Sequence, residues 1–130
     1  MSSSYAKVNF AELDDSAAKN GLESQEARFA RTALGAKGIG IAKYEVHAGK
    51  TIEFGHRHKT MEELYLCTGG SGQLKIDEDI VDLAPGDVVR VAPEAWRGWR
   101  AGDDGLELIA FGTHVEGDGE SEMEMGWWAD

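Results

Sequence analysis

The stretch from Gly49 to Leu66, GKTIEFGHRHKTMEELYL, places two histidines two residues apart and then a glutamate at the start of an apolar segment. Residues two apart in a strand point to the same face, so His56 and His58 present both imidazoles to one space. Glu63 opens the next candidate strand and brings a carboxylate to the same place. Two imidazoles and one carboxylate are the ligands of non-haem Fe(II) sites, and they also suit Mn, Ni, Co or Zn. An HxH pair on a solvent-exposed strand face is the alternative that this spacing leaves open.

Short segments rich in β-branched and aromatic residues surround this stretch from Ile39 onward, and glycine-containing turns separate them. This pattern predicts an all-β antiparallel sandwich or barrel. No repeat or proline-rich linker divides the 130 residues, which favours a single domain over 1–130. The glycine cluster at 69–72 is interpreted as a hairpin turn, and Asp-Asp-Gly at 103–105 as another turn. The predicted strands are 40–47, 51–54, 63–68, 73–76, 80–83, 88–91, 96–100 and 106–112.

The N-terminal part has a weaker pattern. Between Ser24 and Leu34, apolar residues repeat near every 3.6 positions, which favours a helix that Ser24 caps. In the same segment Ala27, Phe29 and Arg31 alternate with their neighbours, which favours an edge strand equally well. Both structures remain open, and a short irregular or helical segment is expected before the barrel.

Two longer patterns resemble the motifs of the cupin superfamily. His56 and His58, followed by four residues, Glu63, an apolar-aromatic-apolar run and a glycine turn, resemble the first motif. The stretch LAPGDVVRVAPEAWR, from Leu83 to Arg97, resembles the second, in which a Gly-Asp pair and a P-x-G turn precede a histidine. The resemblance covers about residues 38–113, which is most of the chain.

This resemblance implies a cupin jelly-roll β-barrel, also called a double-stranded β-helix, over residues 38–113. An N-terminal arm (1–37) and an acidic C-terminal tail (114–130) complete the single domain. Cupins hold a divalent metal ion at the barrel mouth, so the resemblance makes His56, His58 and Glu63 the metal ligands here. Fe, Mn, Ni and Zn are the candidate metals.

The sequence departs from the second motif at the fourth ligand, where Arg97 stands, or Gly98 if the turn keeps its full length. A guanidinium has no lone pair for a metal, and its charge repels a dication. In one arrangement three ligands hold the metal, and Arg97 points aside to orient a substrate carboxylate or phosphate. In a second, no metal binds and Arg97 pairs with Glu63. In a third, His114 supplies the missing ligand.

Other residues near the motifs have expected positions. Tyr65 shares a strand face with Glu63 and is a candidate hydrogen-bond donor in the pocket. Trp96 and Trp99 flank Arg97 three residues apart, so one is expected in the core and the other at the mouth or a dimer contact; Trp96 is the candidate for the pocket. Cys67 is expected to be a small buried apolar residue, and Glu62 to be exposed.

The charge is distributed unevenly. Residues 1–100 carry 15 acidic and 13 basic side chains, whereas residues 101–130 carry nine acidic and no basic ones, which accounts for most of the net charge of -11. An acidic chain without a basic patch is a poor candidate for nucleic-acid or membrane binding. Trp127 and Trp128 are too apolar to stay in water, so the terminus is expected to dock on the domain or on a second subunit.

A single cysteine and a polar start make a cytoplasmic location the expectation. Sheet edges and the terminal tryptophans need cover, which favours a homodimer. The leading hypothesis is a cupin that binds a divalent metal and a small polar or anionic metabolite, with dioxygenase, isomerase or decarboxylase-like chemistry if it is an enzyme. The alternative is a metal-free, non-catalytic ligand-binding or structural barrel in which Arg97 neutralises Glu63.

Overall fold

Antiparallel strands account for most of the chain in the computed structural model, which describes residues 4–114 and 121–128. The helical elements are short: a 3₁₀ turn at Phe10–Glu12 and the one-turn helices α1 and α2. The all-β prediction is confirmed. In chain order the elements are α1 (Ser16–Lys19), β1 (Gln25–Phe29), α2 (Arg31–Leu34), β2 (Ile39–Val46), β3 (Phe54–Arg57), β4 (Glu63–Ile76), β5 (Asp79–Leu83), β6 (Val88–Val91), β7 (Arg97–Thr113) and β8 (Glu122–Met125).

The two longest strands, β4 and β7, pair with each other along almost their whole length. The first half of β4 and the second half of β7 belong to one layer, in the order β1-β2-β7-β4-β6. The other halves of the same strands belong to a second layer, in the order β8-β3-β7-β4-β5. The sheet therefore curls on itself, and its concave side encloses the core.

The glycine cluster at 69–72 lies inside β4 and the Asp-Asp-Gly stretch at 103–105 lies inside β7, so the hairpin turn predicted at 69–72 and the turn predicted at 103–105 are wrong. The register between the strands shifts at Cys67/Gly69 and Gly70/Gly72, as it does at β-bulges. A Cβ on Gly70 would lie 2.0 Å from the carbonyl oxygen of Gly105. The glycines face each other across the ladder and allow the close backbone approach at which both strands bend.

Side chains on the concave side alternate with outward ones, as a half-buried strand requires. The burial pattern of β2, with Ala42, Tyr44 and Val46 buried, follows this period. Trp99 is the centre of an aromatic group, with ring centroids 4.7 Å from Tyr44 and 5.4 Å from Tyr65. These rings fill the space below the side chains of the two cupin-like motifs.

The N-terminal segment forms an edge strand, one of the two structures that its sequence leaves open. Residues 25–29 form β1, which pairs with β2, and only residues 31–34 are helical. The carboxylate of Glu53, in the loop before β3, accepts hydrogen bonds from the Ser24 hydroxyl (2.5 Å) and from the backbone N–H of Glu23 (3.0 Å). This contact fastens the start of β1 to the barrel.

The C-terminal residues return to the barrel. Strand β8 pairs with β3, Trp128 is buried against Arg100, and Trp127 stacks on Trp96. The terminus therefore docks on its own domain, and the homodimer stays a prediction. Residues 115–120, which include part of the acidic stretch, lie outside the described residues. Among the described residues, no helix has the length and apolar character needed to cross a bilayer.

We expect Gly70→Ala to lower the free energy of unfolding by more than about 2 kcal/mol, because a methyl group there collides with backbone atoms of Gly105. Gly49→Ala is the matched control, since Gly49 has the same φ of +70° but no atom within 4 Å of the new Cβ. It should cost about 1 kcal/mol from backbone strain alone. Equal losses for the two variants in chemical denaturation would contradict the close approach.

Glu53 should contribute to the pH dependence of stability. Burial alone would raise the pKa of this carboxyl, but the hydrogen bonds from Ser24 and Glu23 outweigh burial and lower it. Its contribution to the free energy of unfolding is therefore present above its unfolded pKa and is lost as the pH falls below about 5. Glu53→Gln should flatten this part of the stability profile, whereas Glu78→Gln, at an exposed turn, should not. Identical profiles for wild type and Glu53→Gln would refute this role.

Candidate metal centre

Three strands bring the residues of the HxH stretch together inside the barrel. His56 lies on β3 opposite Arg97 on β7, and Glu63 is the first residue of β4. His58 follows the last residue of β3, and its backbone N–H donates to the carbonyl oxygen of Pro93 at 2.8 Å. The two-residue period therefore directs both imidazoles inward, as the sequence predicts.

The ligand atoms of His56, His58 and Glu63 all lie within 4.8 Å of one another. Glu63 Oε1 is 3.2 Å from His58 Nε2 and 3.6 Å from His56 Nε2, and the two imidazole rings are nearly perpendicular. Ligand atoms held by one ion with bonds of about 2.1 Å lie about 3 to 4 Å apart, so the two distances from Glu63 Oε1 suit a shared ion. The cluster is compatible with a divalent metal site.

Electrostatics keep Glu63 and His56 in the forms that bind metals. Burial alone would raise the pKa of Glu63, but contacts with His56, His58 and Tyr65 outweigh burial and lower it, so the carboxylate is ionised. Burial lowers the pKa of His56, which favours its neutral imidazole. Neutral imidazole and ionised carboxylate are the protonation states that metal ions require.

Arg97 takes the inward position that the second motif would give to a histidine. It is fully buried, and its Nη1 donates to the carbonyl oxygens of Pro93 (3.1 Å) and Ala95 (2.8 Å). A Cβ on Gly98 would instead point at the ring of Trp127, which lies on the other side of the strand. Of the two candidates that the sequence leaves open, Arg97 is therefore the one directed into the barrel.

The Arg97 guanidinium does not point away from the cluster. This corrects the first of the three arrangements, in which Arg97 points aside to orient a substrate. Arg97 Nη2 lies 3.4 Å from Glu63 Oε1, as in the ion pair of the second arrangement. Neither Nη2 nor Nε has a hydrogen-bond partner among the described residues, and the same holds for Nδ1 of His56. His114 lines the cavity described below but does not belong to the three-residue cluster.

Tyr65 lies beside the cluster and donates its phenolic hydrogen to Glu63 Oε1 at 2.5 Å. Trp96 does not line the cavity, which corrects its expected place in the pocket. It stacks on Trp127, and the Arg57 guanidinium lies over its ring. Trp99, three residues further on, lines the cavity instead. The alternation along β7 explains this, since residues 97 and 99 share the inward face.

Two further residues of the motif region have no part in the cluster. Glu62 is exposed and lies 3.6 Å from Arg90, on the outside of the sheet. Cys67 is fully buried, and burial raises the pKa of its thiol, so it is a packed apolar residue and not a thiolate.

A cavity of about 670 Å³ opens above the cluster. Its lining is largely apolar and includes regions that the motifs do not cover, among them α1, α2, the edge of β1 and β2, and β8. Gly112 keeps space at its buried end, since a Cβ there would lie 3.0 Å from Met61 Sδ. No pattern in the sequence connects the methionines of β8 with the histidines, because 65 or more residues separate them. The apolar residues of the lining include Leu22, Phe29, Ile41, Tyr44, Phe54, Met61, Trp99, Met123 and Met125.

Comparison with known proteins identifies the fold. No family model matches the sequence, and no curated protein matches it. A cupin protein from Bacteroides fragilis has a similar structure, with a TM-score of 0.71 at 23% identity over 89% of both chains. The polyketide cyclase RemF from Streptomyces resistomycificus has a TM-score of 0.69 at 15% identity, over 87% of this chain and 88% of its own.

A variant of oxalate decarboxylase from B. subtilis has a TM-score of 0.75 at 17% identity, over 90% of this chain and 32% of its own. Together these likenesses show that the chain has the cupin fold, and the jelly-roll barrel predicted from the two motifs is confirmed. Because one fold hosts many reactions, the activities of these proteins do not transfer with it.

The buried pair of Arg97 and Glu63 should be strongly coupled. In metal-free protein, Arg97→Met leaves a buried carboxylate without its cation, and Glu63→Gln leaves a buried guanidinium without its anion. Each single change should lower the free energy of unfolding by about 3 kcal/mol, and the double variant should lose clearly less than the sum. Chemical denaturation in the presence of a chelator measures all three. Additive losses would show that the two charges do not stabilise each other.

Proposed function

We propose that the chain binds one divalent metal ion through His56, His58 and Glu63, and that the cavity above them receives a small-molecule ligand. The observation that carries this proposal is the convergence of three ligand atoms within 4.8 Å at the buried end of a cavity. Two imidazoles and one carboxylate leave coordination positions open on the cavity side, so the site would hold iron, manganese, nickel or zinc with access for a ligand.

A bound metal would supply Lewis-acid or redox chemistry, which covers dioxygenase, isomerase and decarboxylase-like reactions. The protein's own residues prepare the site for it. Tyr65 and Arg97 both approach Glu63 Oε1 and hold that carboxylate in one orientation. The ring of Trp99 packs beside His56, with centroids 6.0 Å apart, and Tyr44 packs against Trp99. Similar structures include a polyketide cyclase and a sugar phosphate isomerase, which supports a small-molecule ligand without selecting one.

Metal analysis tests the proposal directly. After loading and desalting, mass spectrometry and calorimetry should find about one divalent ion per chain. His56→Ala should lose the ion, since two ligands bind a divalent metal far more weakly than three. His47→Ala is the matched control, because His47 is exposed at the end of β2 and should leave the stoichiometry unchanged. Wild-type protein that stays empty in excess Mn, Fe, Ni and Zn would overturn the proposal.

A second candidate function has its own observation. The distance of 3.4 Å between Arg97 Nη2 and Glu63 Oε1 supports a metal-free barrel in which the guanidinium neutralises the carboxylate. In that case the cavity is a ligand-binding pocket without catalysis, or a structural feature of the barrel.

Replacing the arginine tests whether the ion pair excludes metal from the wild-type protein. If the ion pair excludes metal from the wild-type protein, Arg97→His should create or greatly strengthen metal binding, because it removes the cation and adds a fourth ligand. Arg97→Met removes the cation without adding a ligand and separates the two effects. Unchanged metal affinity in Arg97→His would count against the metal-free barrel.

A further inference from the structure

We propose that the cavity takes an apolar molecule that carries one anionic oxygen group, with the anionic group directed at the cluster of His56, His58 and Glu63. The preference for an apolar body rests on the lining of the cavity alone. The preference for an anionic group rests on the metal site proposed above, and the two parts are tested separately.

Several apolar side chains of the cavity are exposed, which is unfavourable as long as water fills the cavity. Phe29, Met123 and Met125 are 52%, 57% and 66% exposed, and all three line this one cavity. Exposed apolar residues that converge on a concave surface mark a binding site, because a ligand covers them and removes their surface from water.

Strand β8 presents its methionines to the cavity by the alternation of its side chains. Glu122 faces away and binds Arg57 through Oε2, at 3.1 Å from Nε and 2.9 Å from Nη2. Met123 and Met125 therefore share the opposite face, and both line the cavity. Methionine side chains are flexible and polarizable, so they adapt to an apolar surface that they do not match in advance.

The charge of the cluster determines which polar group fits at the buried end. Glu63 and Arg97 cancel each other, and imidazoles bind metals in their neutral form. A divalent ion would therefore raise the net charge of this largely buried cluster to +2. Burial of uncompensated charge is unfavourable, so the loaded site would favour a ligand that brings a negative oxygen.

The volume agrees with a ligand of moderate size. Pockets for small organic molecules measure about 300–1,000 Å³, and this cavity measures about 670 Å³. Medium-chain fatty carboxylates combine an apolar chain with one carboxylate, so they serve as probes for this class of ligand.

Calorimetry with hexanoate, octanoate and decanoate tests the apolar part. Burial of each methylene is worth about 0.8 kcal/mol, so affinity should rise about fourfold for each added methylene. Met123→Ser should weaken octanoate binding about tenfold, and Met123→Leu should restore most of it. Glu124→Ser is the matched control on the same strand. Affinity that does not change with chain length, or an equal loss in Met123→Ser and Glu124→Ser, would overturn the proposal.

Octanol and octanoate, compared with and without bound metal, test the anionic part. Metal loading should strengthen octanoate binding at least about tenfold, the effect of one charge-assisted contact, and should leave octanol binding unchanged. If the metal binds but both probes respond alike, the anionic preference is wrong and the proposed metal site still stands. If no metal binds while affinity still rises with chain length, the proposed metal site fails and the apolar cavity is supported.

Discussion

The continuous pairing of β4 with β7 is the constraint on which the rest of this structure depends. The ladder begins with Glu63 opposite Gly112 and ends with Ile76 opposite Arg97, so Glu63 and Arg97 lie at its two ends. Their side chains nevertheless approach to 3.4 Å inside the barrel. Only a ladder that bends back on itself brings its ends together in this way, and the glycines at 70, 72 and 105 permit that bend.

Charge compensation around one carboxylate oxygen organises the site. Four side chains, most of them buried, lie within 3.6 Å of Glu63 Oε1: Tyr65, His58, His56 and Arg97. A buried carboxylate of this kind is tolerated because cations and hydrogen-bond donors replace the lost water. Arg97 already lies 3.4 Å from this oxygen, so a metal ion bound to Glu63 would have to share the carboxylate with the guanidinium.

Local patterns predicted the parts of the site that share a strand or two successive strands. The sequence identifies His56, His58 and Glu63 as neighbours for two reasons. The two histidines lie two residues apart in a strand, and Glu63, five residues after the second histidine, begins the next strand. The position of Trp99 follows from the same alternation once Arg97 is known to face inward, but the sequence does not say which way Arg97 faces. The glycines at 69–72 and 105 indicate turns as readily as bulges, because glycine favours both, and only the partner strand distinguishes them.

By itself, the sequence determined the all-β class, the cupin-like motifs and the convergence of three candidate metal ligands, since all of these arise from short-range periodicity and spacing. Only the tertiary structure decided that β4 and β7 run unbroken through both layers, that Arg97 points at Glu63, and that Met123 and Met125 line the cavity. These features depend on contacts between residues more than 20 positions apart. Such contacts are set by how the whole sheet curls, and no local pattern encodes that curvature.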